Sequence, residues 1–205
     1  MDLVMGIIFI VFSYFLGSIP TAYLVGKVTK GIDIRQEGSG NVGSTNALRV
    51  IGIKGALFVG VVDFLKGFIP ACVGLRLFGS DIALVSMAAA VGGHIFPVWL
   101  KFRGGKGAAT GIGAVIGYTP FFAIPIMAVW GVVFLLTGYV SLATILATVV
   151  AALLPIFAGQ SLFCILIYVG FCSVVLFKHR KNIHRLIKGE EHKFNIKKRS
   201  NRGLK

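Results

Sequence analysis

Charged side chains are scarce in this sequence, and acidic ones are scarcer still. Only 14% of the 205 residues are charged, and only 7 are Asp or Glu, whereas about a quarter of a typical soluble domain is charged. Hydrophobic residues make up 56% of the chain, and the mean hydropathy is +0.88. A single core in a chain of this length cannot bury so much apolar surface. The composition therefore excludes an ordinary soluble domain and indicates a protein of the lipid bilayer.

Cysteine is also scarce, and no two cysteines show C-x-x-C spacing. Cys72, Cys164 and Cys172 all fall in apolar segments, where small thiols usually pack in cores. A metal centre or a disulfide framework would show paired spacing. We therefore expect these cysteines to be packing residues, and we expect the protein to need no metal and no cofactor.

Long uncharged stretches predict the membrane spans. They cover residues 3–26, 55–75 (interrupted by Asp63 and Lys66), 82–100 and 107–177. The first is long enough to cross the hydrocarbon core, and the acidic residue at position 2 argues against a cleaved signal peptide. The last stretch contains turn-forming residues at 117–120, 137–138 and 159–160, which would divide it into four helices.

The basic residues predict the orientation of these spans. The chain carries 21 Lys and Arg and a net charge of +14, which in a soluble protein would suggest a nucleic-acid partner. Here the basic residues lie between apolar stretches, as in cytoplasmic loops, so we expect no nucleic acid. If residues 101–106 and the tail are both cytoplasmic, residues 107–177 cross the membrane an even number of times. We therefore expect seven spans; five would keep the same parity.

The expected architecture is an all-α membrane protein with its N-terminus outside and its C-terminus in the cytoplasm. Residues 1–194 would form one polytopic domain in the inner (plasma) membrane, with the active site facing the cytoplasm. Residues 195–205 are polar and basic without periodicity. They are expected to form a disordered cytoplasmic tail near anionic lipid headgroups.

A polar glycine-rich segment lies in the first cytoplasmic connection. Residues 38–49 read GSGNVGSTNALR; they contain a G-x-G-x-x-G spacing, but no βαβ pattern surrounds it, so a dinucleotide-binding fold is excluded. Glycines still let main-chain N–H groups converge on an anion, and Ser44 or Thr45 is expected to cap a helix. Arg49 would share a face of that helix with Asn46. A flexible polar loop with a capped helix is the alternative.

A second glycine-rich segment follows the third span. Residues 103–111 read RGGKGAATG, but the Walker A pattern does not match at positions 100 and 107, so ATP hydrolysis is not supported. Lys106 between glycines, with two further basic residues close by, suits a phosphate group. The alternative is a basic loop that only orients the neighbouring spans.

Polar groups near the same membrane face extend this pattern. Asp63 and Lys66 are i,i+3 neighbours, so either they form an ion pair or Lys66 contributes to an anion site. Other polar residues that the predicted topology places at the cytoplasmic face are His94, Ser141, His179, Asn182 and Arg185. Each histidine alone could be structural. Together with the glycine-rich segments, these groups predict one cytoplasmic-side pocket for a phosphorylated ligand.

The sequence resembles the bacterial acyl-phosphate:glycerol-3-phosphate acyltransferase family of integral-membrane enzymes. The resemblance extends from Gly17 to His192. It is carried by residues 38–46 (GSGNVGSTN), 63–67 (DFLKG), 93–97 (GHIFP), 102–107 (FRGGKG), 139–143 (YVSLA) and 179–186 (HRKNIHRL). Ser44, Ala108 and Thr144 stand where the family usually has Ala, Val and Ser. None of these departures removes a charged or hydrogen-bonding group.

The resemblance implies a seven-helix fold that transfers an acyl group from acyl phosphate to the 1-hydroxyl of glycerol 3-phosphate, giving lysophosphatidic acid and inorganic phosphate in phospholipid biosynthesis. Membrane lipids would surround the site. The candidates for the donor phosphate are Ser39, Gly40, Asn41, Gly43, Thr45 and Asn46, with Arg49, Lys66 and Lys106 as cationic groups. The candidates for the acceptor are His94, Gly104, Gly105, Gly107, Ser141, His179 and Asn182. Among these, Arg49, His94, Lys106 and His179 are the candidate catalytic residues.

The sequence leaves the proton acceptor open. An acyl phosphate is an activated mixed anhydride, so positioning and charge stabilisation can supply much of the catalysis. No Ser-His-Asp arrangement is present, and no H-x-x-x-x-D motif follows His94 or His179. Either a histidine or the leaving phosphate would take the proton. A carrier for phosphate-bearing solutes is the rival function, but we find no inverted repeat between the two halves.

Overall fold

The computed structural model describes residues 3–194, and within that part of the chain it contains helices and no strands. The α-helices are α1 (Leu3–Ser18), α2 (Thr21–Lys30), α3 (Ser44–Val50), α4 (Ile53–Phe78), α5 (Ser80–Ile95), α6 (Ala108–Tyr118), α7 (Pro120–Thr137), α8 (Val140–Phe157), α9 (Leu162–Lys178) and α10 (Arg180–Ile187). A single 3-10 turn, Val98–Leu100, follows α5. The predicted basic tail, residues 195–205, lies outside the described residues.

The first apolar stretch forms one candidate span, Leu3–Lys30, as predicted, but a short break divides its helix into α1 and α2. α1 ends at Ser18 and α2 begins at Thr21, because Pro20 lacks a main-chain N–H and disfavours helical geometry at the residue before it. The side chain of Lys66 donates hydrogen bonds to the carbonyl oxygen of Ile19 and the hydroxyl of Thr21. These bonds satisfy one carbonyl oxygen and one hydroxyl at the break, whereas the buried hydroxyl of Ser18 has no hydrogen-bond partner among the described residues.

The uncharged stretch after residue 107 forms four helices, as predicted from its turn residues. Pro120 is the first residue of α7, and Gly138 ends that helix with a left-handed φ of 73°, a conformation that suits glycine. By length and composition, five helical segments of the described chain can cross a membrane, and a sixth can if α9 and α10, bent by 54°, form one span. α6, with 11 residues, is shorter. The all-α membrane fold is confirmed, and the count of seven stays a prediction.

Apolar side chains cover the outside of the helices, whereas small residues line their contacts. On α7, Phe121 is 79% exposed and Leu136 is 81% exposed, as expected for a lipid-facing helix. Between α4 and α6, a Cβ atom on Gly67 would overlap the carbonyl oxygen of Thr110, so the two backbones approach closely. Cys164 and Cys172 are buried free thiols, which confirms their predicted packing role.

Candidate active site

One cavity collects residues from several connections that are far apart in sequence. Its volume is about 790 Å³. The predicted site residues that line it are Ser39, Asn41, Gly43, Thr45, Asn46, Arg49, His94, Lys106, Gly107, Ser141, His179 and Asn182. The cavity therefore has one end where α6 and α8 begin and α9 ends. Helix α3 lies beside this end. We call this region the polar end of the cavity.

Asn46 holds the first glycine-rich segment in shape. Its Oδ1 accepts a hydrogen bond from the main-chain N–H of Ser39 at 2.9 Å, and its Nδ2 donates to the carbonyl oxygens of Ile34 and Glu37 at 3.2 and 3.0 Å. The side chain is 1% exposed. A Cβ atom on Gly38 would overlap Oδ1 of Asn46. Asn46 thus shapes the loop that borders the cavity, since both ends of its amide are already bound.

Helix α3 begins beside the cavity, but its start differs from the prediction. Gly43 is the N-cap residue, its backbone is extended, and no side chain of the described residues caps the helix. The expectation that Ser44 or Thr45 would cap it is therefore wrong, because Gly43 takes that position and both residues lie inside the first turn. Ser44 and Thr45 line the cavity instead, as does the exposed side chain of Arg49 one turn further along.

The second glycine-rich loop packs against α5. The N–H groups of Gly104 and Gly105 donate to the carbonyl oxygens of Ile95 and His94, at 3.2 and 3.1 Å. A Cβ atom on Gly105 would overlap the His94 ring and would lie 2.7 Å from the carbonyl oxygen of Val42. These glycines are required for close packing. Because their N–H groups bind the end of α5, this loop borders the cavity through Lys106 and Gly107 instead.

Three of the predicted glycines do not line this cavity. Gly104 and Gly105 border a much smaller space on the far side of His94. The N–H of Gly40 donates to the carbonyl oxygen of Glu37 at 2.9 Å, within the turn that precedes α3. The structure thus brings the polar side chains of both segments to the cavity, while these three glycines shape the loops behind them.

Lys106 extends from the second loop into the polar end. Its Nζ donates to Oδ1 of Asn182 at 2.5 Å. Burial, together with the positive charges of Arg185 and Arg49, lowers the pKa of Lys106 to about 8, although the charge of Glu191 acts in the opposite direction. Three basic side chains near one cavity produce a positive potential that favours an anionic ligand.

Glu191 binds three side chains at the polar end, although it was not among the predicted site residues. Its carboxylate accepts hydrogen bonds from Ser141 Oγ at 2.9 Å, Asn182 Nδ2 at 2.8 Å and Arg185 Nε at 2.7 Å. Burial raises the pKa of Glu191, but these hydrogen bonds outweigh it and the pKa lies below the usual value. Its position inside the family-like segment that ends at His192 was the one signal that pointed to it.

A buried ion pair lies behind the polar end. Lys66 Nζ and Asp63 Oδ1 are 2.7 Å apart, and both side chains are 2% exposed, so the ion-pair alternative is confirmed. Nδ1 of His94 lies 3.7 Å from the same carboxylate oxygen. Asp63 and His94 line the cavity, whereas Lys66 faces the break between α1 and α2. The structure therefore does not bring Lys66 to the ligand space.

The ring of His179 has a defined tautomer. Its Nδ1 lies 2.8 Å from the carbonyl oxygen of Val175. Because a carbonyl oxygen only accepts, Nδ1 carries the hydrogen and Nε2 is left as an acceptor. The hydroxyl of Ser141 donates its hydrogen bond to Glu191 and not to His179. Ser141 and His179 therefore do not form a serine–histidine pair. Within residues 3–194, no group of three or more His, Cys, Asp or Glu side chains is arranged to hold a metal ion.

An apolar arm extends the cavity among α6, α7, α8 and α9. Its apolar lining residues are Ile112, Val115, Ile126, Met127, Trp130, Val140, Ala147, Ala151, Phe171, Cys172 and Val175. Thr144 and Thr148 also line it, and their hydroxyls donate to the carbonyl oxygens of Val140 and Thr144 within α8. Where the arm meets the polar end, Trp130 Nε1 donates to Thr144 Oγ1 at 3.2 Å. The cavity thus combines a cationic end for phosphate with an arm suited to a hydrocarbon chain.

Comparison with known proteins decides the family. Residues 7–189 match the family model described as glycerol-3-phosphate acyltransferase. The chain belongs to the glycerol-3-phosphate acyltransferase family. The glycerol-3-phosphate acyltransferase of Aquifex aeolicus is 42% identical over 187 residues, covering 90% of this chain and 97% of the relative. That of Thermoanaerobacter sp. is also 42% identical over 187 residues, covering 91% of this chain and 94% of the relative.

Solved structures of an acyltransferase share the fold. The crystal structure of PlsY (YgiH), an integral membrane glycerol 3-phosphate acyltransferase, in its glycerol 3-phosphate form is 40% identical, with a TM-score of 0.89 over 93% of this chain and 96% of that one. Its lysophosphatidic acid form gives a TM-score of 0.86 at 38% identity, over the same shares of the two chains. Family membership and this similarity confirm that the chain is an integral membrane acyltransferase.

Proposed function

We propose that the protein transfers an acyl group from acyl phosphate to the 1-hydroxyl of glycerol 3-phosphate, giving lysophosphatidic acid and inorganic phosphate. The observation that carries this proposal is a single cavity in which a cationic end continues into an apolar arm. The two substrates together need one hydrocarbon space and two phosphate positions. The glycerol 3-phosphate and lysophosphatidic acid forms of PlsY support the acceptor and the product.

The donor phosphate is assigned to the α3 side of the polar end. Arg49, Ser44 and Thr45 line the cavity there, and a guanidinium can bind two phosphate oxygens at once. The loop that Asn46 holds, with Ser39 and Asn41 at its surface, would fix the position of this phosphate. The acyl chain of the same donor would then extend into the apolar arm.

The acceptor is assigned to the Lys106 side of the polar end. Lys106 and Arg185 supply positive charge for its phosphate, while Ser141, Asn182 and His179 offer hydrogen bonds to its hydroxyl groups. Glu191 holds three of these side chains in place through its hydrogen bonds. With the acceptor between Lys106 and α3, its 1-hydroxyl would lie close to the carbonyl carbon of a donor bound where the apolar arm meets the polar end.

The proposed reaction is a direct transfer. The 1-hydroxyl oxygen of glycerol 3-phosphate forms a bond to the carbonyl carbon of the acyl phosphate, and the bond from that carbon to the phosphate oxygen breaks. The phosphate departs with the bonding electrons, and the hydroxyl proton passes to it or to Nε2 of His179. The cations lower the barrier by neutralising charge on the departing phosphate. The protein forms no covalent intermediate in this scheme.

The proposed topology has seven spans with the polar end in the cytoplasm. The support is that the connections before α3, before α6 and after α9 border the same cavity as the first residues of α8, and all of these are expected on one side. Reporter fusions test it: fusions at Gly138 should report the cytoplasm, and fusions at Gly79 or Gly159 the outside. A fusion at Gly138 that reports the outside would contradict the seven-span count.

Purified protein supplied with acyl phosphate and glycerol 3-phosphate tests the proposed function. We expect equal amounts of lysophosphatidic acid and inorganic phosphate, and no product when acyl-CoA replaces acyl phosphate. The Arg49→Met variant should lose at least about tenfold in kcat/KM, since a charged hydrogen bond contributes about 1.5–3 kcal/mol. An equal activity with acyl-CoA would contradict the donor assignment. Facilitated release of glycerol 3-phosphate from liposomes without any product would support the carrier function instead.

A further inference from the structure

The apolar arm ends at a wall built from four helices. Val115 of α6, Ile126 of α7, Ala151 of α8 and Phe171 of α9 line the arm, and each is at most 8% exposed. They also belong to one continuous core cluster. The far end of the arm is therefore closed by packed protein.

Aromatic rings fill the space behind this wall. The ring of Tyr168 lies 5.3 Å from that of Phe171, 6.0 Å from that of Phe122 and 6.5 Å from that of Tyr118, measured between centroids. Tyr168 itself is fully buried. A hydrocarbon chain that reaches Phe171 cannot advance further without displacing this cluster, because such cores are closely packed.

One face of α8 runs along the whole arm and carries small side chains at its deep end. Ser141, at the polar end, and Ala151, at the wall, are ten residues apart on this helix, which corresponds to about 15 Å along its axis. Ala147 lies one turn before Ala151, about 6 Å nearer the polar end. Larger side chains at these two positions would shorten the arm by different amounts.

We propose that Ala151, with Ala147 one turn above it, determines the longest acyl chain that the donor can carry. This inference rests on the proposed function, because it takes the apolar arm to hold the acyl chain during transfer. A methyl side chain at position 151 leaves the deepest part of the arm free for the end of the chain. A bulky side chain there occupies that space and excludes the last methylene groups of a long donor.

The test compares acyl phosphates of increasing length, from decanoyl to hexadecanoyl, in Ala151→Phe and Ala147→Phe. We expect Ala151→Phe to lower kcat/KM for hexadecanoyl phosphate at least about tenfold relative to decanoyl phosphate, because about two buried methylene groups contribute that factor. In Ala147→Phe, the loss in kcat/KM should begin at shorter donor chains than in Ala151→Phe. The KM for glycerol 3-phosphate should not change in Ala151→Phe, since the polar end is untouched.

Val149→Phe is the matched control. Val149 lies on the same helix, is 38% exposed and does not line the cavity. In Val149→Phe, the dependence of kcat/KM on donor chain length should therefore equal that of the wild type. Phe171→Ala tests the opposite direction and should raise kcat/KM for the longest donors relative to the shortest. It remains informative if a phenylalanine variant fails to fold.

Two results would overturn the inference while leaving the proposed function intact. One is an equal loss at every chain length in Ala151→Phe with an unchanged length profile in Phe171→Ala. The other is a wild-type length profile in all three cavity variants, which would mean that the chain leaves the arm sideways past Met127, which is 48% exposed. A wild-type protein that makes no product from any acyl phosphate would instead refute the proposed function.

Discussion

Lys106 gives the sharpest prediction, because its pKa falls within the range of a practical assay. Burial and the neighbouring arginines lower that pKa to about 8, so the side chain is charged at about pH 7 and mostly neutral at about pH 9. The fraction protonated falls about tenfold between these two values, since each unit above the pKa costs about a factor of 10. If the charge binds the acceptor phosphate, the KM for glycerol 3-phosphate rises about tenfold over this interval.

The assay is initial-rate kinetics at a fixed saturating concentration of acyl phosphate, with glycerol 3-phosphate varied from about pH 6.5 to about pH 9.5. Lys106→Arg should remove the rise, because a guanidinium stays charged throughout this range. Lys106→Met should raise the KM about 10- to 100-fold at every pH, as expected for the loss of a charged hydrogen bond. Lys101→Met, in the same loop but outside the cavity, is the control. A KM that stays constant to about pH 9.5 in the wild type would refute the role of Lys106.

The remaining predictions concern the groups that hold the site in shape. Gly105→Ala should abolish activity, because its Cβ would overlap the His94 ring, whereas Gly131→Ala, which has open space, should keep wild-type rates in the same assay. Glu191→Gln should raise the KM for glycerol 3-phosphate at least about tenfold through the lost bond to Arg185, and an unchanged KM would exclude that positioning role. Asp63→Ala should lower the unfolding free energy in detergent by about 3–5 kcal/mol, because it leaves a buried lysine unpaired; a loss below about 1 kcal/mol would contradict a buried pair.

Much of the fold could be predicted because charge and turn residues decide it locally. Pro120, Gly138 and Gly159 end or begin helices through their own backbone preferences, and those turns lie where the sequence indicated. The break between α1 and α2 was harder to predict. Pro20 gave a local signal, but helices with an internal proline are common in membranes, and α4 continues through Pro70. The partner that satisfies the first break, Lys66, lies 47 residues further along the chain.

Most of the side chains that line the candidate site could be predicted, but their arrangement could not. Residue types at the predicted cytoplasmic face identified Arg49, Lys106, Ser141 and Asn182, because polar groups beside membrane helices are costly unless they serve a purpose. Some of these side chains face the cavity, and others hold those side chains in position. The division depends on contacts between segments that are distant in sequence. Glu191, for example, accepts a hydrogen bond from Ser141 across 50 positions of sequence, and no local pattern encodes that pairing.

The glycine-rich loops illustrate the same limit. The first loop predicted main-chain N–H groups that converge on an anion, and the second predicted a phosphate site at Lys106. In the structure the N–H of Gly40 closes the turn before α3, and the N–H groups of Gly104 and Gly105 bind the end of α5, because the second loop packs closely beneath His94. A glycine-rich loop indicates that the backbone approaches another group closely. The three-dimensional structure is needed to identify that group, which for the second loop is the end of α5.

In the proposed mechanism one cavity holds both substrates at once, and the acyl group passes directly from the donor to the acceptor. Two-substrate initial-rate kinetics on the purified protein, combined with inorganic phosphate release measured in the absence of glycerol 3-phosphate, tests it most directly. Direct transfer gives intersecting double-reciprocal lines and no burst of phosphate until the acceptor is added. Parallel lines with a stoichiometric burst would show an acyl-enzyme intermediate and would contradict direct transfer.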